Sequence, residues 1–115
     1  MSRVEHYLFK ANCRLDKLEE YIKKHNNIPK EVSSGLTKAG VNNLQIFAGN
    51  TTIGEIFMHV AFESEGIHTL DDAIGPGSKY RDDPVVQEWE FEMATSFHDG
   101  WQLLPSIHDS DNWPK

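Results

Sequence analysis

The sequence predicts a single α+β domain over residues 1–115, an antiparallel sheet with its two main helices on one face. Three observations predict it. Short alternating or apolar blocks, the pattern of strands, fall at residues 4–13, 41–48, 52–62 and 101–107. Stretches with helical spacing fall between them, at residues 16–39 and 83–97. The order is therefore strand, helix, strand, strand, helix, strand, and a chain of 115 residues suits one such domain.

Taken in order, residues 4–13 mix Val, Tyr, Leu and Phe with polar residues. As a strand they set Tyr7, Phe9 and Ala11 on one face and Leu8 on the other. Arg14 and Leu15 turn the chain, and Asp16 is a favourable N-cap. The next run places Leu18, Tyr21, Ile22 and His25 at i, i+3, i+4 and i+7, on one helix face. Glu19 with Lys23 and Glu20 with Lys24 form i, i+4 pairs on the side that suits water. The helix loosens at Asn26 and Asn27. Pro29 restarts a helical run as its N1 residue. Val32, Gly35, Leu36 and Ala39 share a face there, and Gly40 is the stop.

Residues 41–48 are the second strand, with Leu44 and Ile46 on one face and Phe47 opposite. Gly49-Asn50-Thr51 signals a hairpin. Residues 52–62 are apolar on both faces in their middle, which makes this the central strand, and Gly54 marks a bulge in it. Residues 63–80 are irregular and break at Gly75-Pro76-Gly77; they read as a long loop with one helical turn, of the kind that covers a site. Asp83 and Pro84 open the last helix as N-cap and N1. Val86, Trp89, Met93 and Phe97 form its buried stripe. Glu90 falls inside that stripe, where a carboxylate is costly unless it is paired, solvated by a cleft or used. After Gly100, residues 101–107 form a fourth strand that Pro105 confines to an edge. The tail is polar apart from Trp113. This order is the split-βαβ, ferredoxin-like pattern. It leaves one sheet face bare, and a second copy packed on that face would give a dimeric α/β barrel.

Composition narrows the function. The net charge of -7 argues against nucleic acid and anionic lipid surfaces, and leaves a neutral ligand such as a sugar open. Cys13 is the only cysteine, which excludes an internal disulfide and suits a reducing compartment. No apolar run reaches the roughly 18 residues of a membrane helix, and the first residues lack a signal-peptide core. A soluble, cytoplasmic protein is expected. GxGxxG, P-loop, HExxH and CxxC motifs are absent, and the six histidines lack metal-ligand spacing. Neither cofactor nor metal is expected.

What remains is an aromatic and acid/base set: Tyr21 and His25 on the first helix, Trp89 and Glu90 on the last. An inward histidine is either a core filler or a proton-transfer group. Glu90 either meets an arginine or faces a cleft. Both helices lie on the same side of the sheet, so the four residues converge only if they reach over its end or around its edge into a shared cavity.

These residues carry a family resemblance. Tyr21-Ile22-Lys23-Lys24-His25-Asn26-Asn27-Ile28, followed by Glu31, resembles the Y-x-x-x-H-x-x-I-W-P-E motif of the L-rhamnose mutarotase family. Gly40 and the run Val41–Phe47 resemble the family's glycine and short strand. Asp83-Pro84-Val85-Val86-Gln87-Glu88-Trp89-Glu90 is similar to its signature at the second helix, in a form closer to the fucose-type branch. The resemblance covers most of residues 4–97. It implies a dimeric α/β barrel that interconverts α and β anomers of a deoxy-sugar such as L-fucose or L-rhamnose by general acid/base ring opening, with no cofactor. It implies His25 as proton donor, Tyr21 as a substrate contact and Trp89 as part of the sugar-facing wall. Glu90 stands where the family has a second tryptophan, and two roles are open to it: a hydroxyl-binding carboxylate or a second acid/base. The chain departs from the family pattern at Pro29-Lys30, at Leu44 and at Glu90. Two other readings stay open on the residues: a small monooxygenase of the dimeric ferredoxin-like barrels, and a non-catalytic dimeric binding module.

Overall fold

The computed structural model describes residues 4–114, so residues 1–3 and 115 of the expected domain lie outside the described residues. The strands are β1 (Val4–Asn12), β2 (Val41–Ala48), β3 (Thr52–Val60) and β4 (Gln102–Leu103). The helices are α1 (Leu18–Asn26), α2 (Lys30–Lys38), α3 (Leu70–Ile74) and α4 (Pro84–Glu92). The sheet order is β2-β3-β1-β4 with antiparallel neighbours throughout, the split-βαβ arrangement expected.

β1 and β3 pair along their whole length, from Val4 opposite Val60 to Asn12 opposite Thr52. Residues directly opposite share a face. Tyr7, Phe9 and Ala11 therefore face the same way as Phe57, Glu55 and Ile53. The rings of Tyr7 and Phe9 stack on Phe57 at 5.7 and 5.9 Å. α1, α2 and α4 cover this face through Tyr21, Val32, Val86 and Trp89, which form one buried cluster with Ala11 and Ile53. Asp83 caps α4, its carboxylate accepting from the Val85 N–H, with Pro84 in the first turn as expected. Val86, Trp89, Met93 and Phe97 are all buried.

Several local expectations are corrected. Asp16 does not cap α1; it lies in a 3-10 turn, and the cap position falls to Lys17 with no side-chain bond. Ile22 is 51% exposed, because the side of α1 that meets α4 carries His25, against Trp89, and Lys24, which donates to Glu92 at 2.7 Å. Pro29 is the N-cap of α2, not its N1 residue, and extended ψ sets it just outside the helix. Gly54 keeps regular pairing with Lys10 and Phe47; the bulge lies in β2 between Asn42 and Gln45, where Asn43 takes a positive φ of 54°. β3 ends at Val60, two residues short of expectation. The fourth strand shrinks to Gln102–Leu103, with Leu104 adding one bond to the Leu8 carbonyl. Finally, the helical run from Pro84 changes character: residues Met93–Phe97 form a π turn, with the His98 N–H bonded to the Met93 carbonyl. Such a turn re-aims the residues that follow it and is often found at functional sites.

The candidate active site

A cavity of about 850 Å³ opens between the sheet and the helix layer. Its lining includes Tyr21, His25, Trp89 and Glu90, so all four sequence-chosen residues meet. They meet over the face of the sheet, not past its end or edge. The short helices leave part of the sheet's inner face uncovered, and Tyr7, Phe57 and Glu55 floor the gap.

His25 occupies the last turn of α1. Its Nδ1 lies 3.0 Å from the Tyr21 carbonyl oxygen four residues back. A carbonyl only accepts, so Nδ1 carries the proton and donates, and a neutral ring leaves Nε2 as a free acceptor. The ring is held between Tyr21, with centroids 4.3 Å apart, and Trp89, edge-on at 5.0 Å. Burial holds its pKa below the ordinary histidine value, opposed by the bond to Tyr21 and reinforced by His98. The imidazole is thus neutral at neutral pH and poised to take a proton at Nε2.

Tyr21 is buried, and its hydroxyl makes no hydrogen bond with another described residue. Burial first, then the negative charge of Glu55, pushes its phenol well above the usual tyrosine range. It stays a neutral donor and acceptor. Trp89 is 9% exposed and offers an indole surface of the kind that covers the apolar side of a sugar ring.

The question posed by Glu90 has a definite answer: it is both paired and in the cleft. The Tyr80 hydroxyl donates to its Oε1 at 2.9 Å, and the Arg81 Nη2 stands 3.9 Å from Oε2. Arg81 is itself anchored by Nε donating to the Ile74 carbonyl at 2.7 Å. The irregular stretch around Tyr80 therefore builds a wall of the cavity.

Four site residues escaped sequence reasoning: Glu55, Tyr80, Arg81 and His98. Glu55 had a signal, since it lies two residues from both Ile53 and Phe57 and so shares their buried face. Burial, and then the charge of Glu90, pushes its carboxyl up to about 7. His98 follows the π turn, packs on Trp101 at 4.5 Å and faces Tyr21 edge-on at 6.1 Å. Its segment is tied to β1 by Asp99, which accepts from the Asn12 backbone and side chain at 2.8 Å each. Nothing in the sequence around Tyr80 or His98 distinguishes them from loop residues. Among the described residues, no group of three His, Cys, Asp or Glu could hold a metal ion, and no helix is long and apolar enough to cross a membrane.

The fold is similar to that of a solved L-rhamnose mutarotase from Formosa agariphila, with a TM-score of 0.66 and 17% sequence identity over 91% of this chain and 97% of that one. No curated protein matches the chain. The family model described as L-rhamnose mutarotase matches residues 6–113, nearly the whole sequence. The chain belongs to the L-rhamnose mutarotase family.

Proposed function

We propose that the protein is a sugar mutarotase acting on a deoxy-hexose such as L-rhamnose or L-fucose, in a reducing, cytoplasmic setting. The observation that carries this is a neutral histidine with a free Nε2, held by Tyr21 and Trp89 at a mostly apolar cavity with room for a monosaccharide. Mutarotation needs little more. The anomeric hydroxyl gives up a proton, the ring oxygen gains one, and the C1–O5 bond breaks to an aldehyde. Rotation about C1–C2 presents the other carbonyl face, and the ring re-closes. His25 takes the anomeric proton during opening. It then acts as the proton donor during closure. Tyr21 hydrogen-bonds a sugar hydroxyl, the Trp89 indole lies against the ring, and Glu90, oriented by Tyr80 and Arg81, accepts from a further hydroxyl.

His25→Gln should lower the rate of anomer exchange by about 100-fold or more while the protein stays folded, since a positioned acid/base contributes at least this much. Saturation-difference NMR on L-rhamnose and L-fucose measures it. Unchanged exchange would remove His25 from the mechanism. A thermal-shift screen against monosaccharides separates an enzyme from a module that binds something else, because a ligand of the native state raises Tm.

We also assign the bare sheet face to a second copy. Leu8, Ile56 and Phe47 point away from the helices and are 38%, 39% and 59% exposed. Sheet-on-sheet packing of two copies buries them.

A further inference from the structure

We propose that Glu55 is the second acid/base group of this site, delivering a proton to the ring oxygen while His25 takes one from the anomeric hydroxyl. This rests on the mutarotase reading. Ring opening moves two protons at oxygens bonded to the same carbon. His25 performs one of these movements: with Nδ1 committed to the Tyr21 carbonyl, a neutral ring has an acceptor and no donor free. The other movement needs an acid on the same cavity.

Elimination among the lining groups leaves Glu55. The titratable and charged residues around the cavity are Tyr7 on β1, Tyr21 and His25 on α1, Asp71 on α3, Tyr80 and Arg81 in the turn before α4, Glu90 on α4 and His98 after it. The Tyr21 and Tyr80 phenols are held above their usual range and are too weak as acids. Glu90 is bound by Tyr80 and Arg81. His98 has Nδ1 on the Asp99 carbonyl at 2.7 Å and its ring against Trp101. Arg81 does not give up its proton. The Tyr7 hydroxyl already donates to Glu5 Oε2, and Asp71 belongs to the short helix α3 with its carboxylate against Gly75. Glu55 rises from the sheet floor, between Ile53 and Phe57, and has no hydrogen bond or ion pair with any described residue. A half-buried carboxyl without a partner is destabilising unless something in the cavity engages it. Its surroundings favour the neutral acid: the carboxyl titrates near 7, so roughly half of it carries a proton at neutral pH.

The step balances. Glu55 gives its proton to O5 as the C1–O5 pair moves onto oxygen, and His25 Nε2 takes the O1 proton as the C1=O1 bond forms. In closure the Glu55 carboxylate removes the proton from the O5 hydroxyl, O5 attacks C1, and the imidazolium protonates O1. Both groups end as they began, whichever anomer enters.

The test is anomer exchange by the purified protein carrying Glu55→Gln, with Glu55→Asp beside it. E55Q should lose about 100-fold or more in kcat with KM within about 3-fold, at undiminished Tm, and E55D should fall between it and the natural protein. The alkaline limb of kcat/KM near pH 7 should vanish in E55Q. Exchange within about 3-fold of the natural protein overturns the proposal and leaves the His25 assignment standing. Absence of exchange by the natural protein with every aldopyranose tried overturns the mutarotase reading and this proposal with it. Should E55Q fail to fold, the natural protein decides: no alkaline limb between about pH 6 and pH 8 overturns the assignment.

Discussion

His25 and Glu55 are displaced from ordinary behaviour in opposite directions by the same cause, removal from water. Burial disfavours the charged form of each, leaving a neutral base and a neutral acid on one cavity. The displacement of Glu55 has a consequence for stability. Its pKa is about 7 in the folded chain against an ordinary 4.5. Between these values the folded chain holds a proton that the unfolded chain has released, so this group makes stability fall as pH rises from about 4.5 to about 7 and leaves a constant deficit above, on the order of 3 kcal/mol. Glu55→Gln removes the deficit. Its Tm should exceed that of the natural protein by several degrees at pH 8 and match it at pH 4. His25 acts the other way, with stability lost as pH falls below its ordinary pKa, but it does so in both proteins and cancels. Thermal melts at the two pH values measure the difference, and an equal gap at both would show that Glu55 is not displaced. At this scale the sequence marked Tyr21, His25, Trp89 and Glu90 through the family motifs more than through helical spacing, which also set Ile22 inward. Glu55 passed unmarked although its spacing from Ile53 and Phe57 puts it on their face, because a strand apolar on both faces does not say which of the two meets the helices.

Elements position these residues through contacts that periodicity does not show. Tyr80 is the clearest case. Its hydroxyl orients Glu90, and one edge of its ring lies against α2 at Gly35, where an added Cβ would stand 2.9 Å from the ring's Cδ1. The ring is buried and has nowhere to swing. Gly35→Ala should therefore displace Tyr80, at a cost of about 1–3 kcal/mol from overpacking less the modest helix-propensity gain of alanine. It should also raise KM more than it lowers kcat, since Glu90 loses its orienting donor while His25 is untouched. Melting and steady-state exchange rates check both parts; a stabilised variant with natural KM would show that Tyr80 does not rest on this glycine. Spacing foretold that Gly35 lies on the packed face of α2, but not that an aromatic from an irregular loop needs the room. The helix starts and stops at Asp83-Pro84 and Gly40 were legible because caps are local chemistry. The π turn at Met93–Phe97 and the two-residue β4 were not, since the first is set by packing around Phe97 and His98 and the second by how far the chain can follow β1.

At the scale of the molecule, strand order follows from element order, because a split-βαβ chain has few right-handed, uncrossed ways to close a sheet. The same order leaves one face of the sheet without helices. Leu8 and Ile56 sit directly opposite each other at its centre, and Phe47 lies beside them on β2. Isolated exposed aliphatics need no explanation, but Leu8, Ile56 and Phe47 exposed together on a sheet face without helices do. A second copy related by a two-fold axis would meet it with the same patch, each sheet supplying cover for the other. The cavity lies on the opposite, helix-covered side, so a change to the outer face separates assembly from chemistry. Replacing Ile56 by Lys puts a charge at the centre of the contact, where it would be buried twice in the pair without a partner. Light scattering after size exclusion should give a mass near two chains for the natural protein and near one for Ile56→Lys. Because one chain supplies the residues that line the cavity, the separated chain should keep its anomer exchange. A natural protein that runs as one chain at every concentration would mean that this face is covered by something other than a second copy.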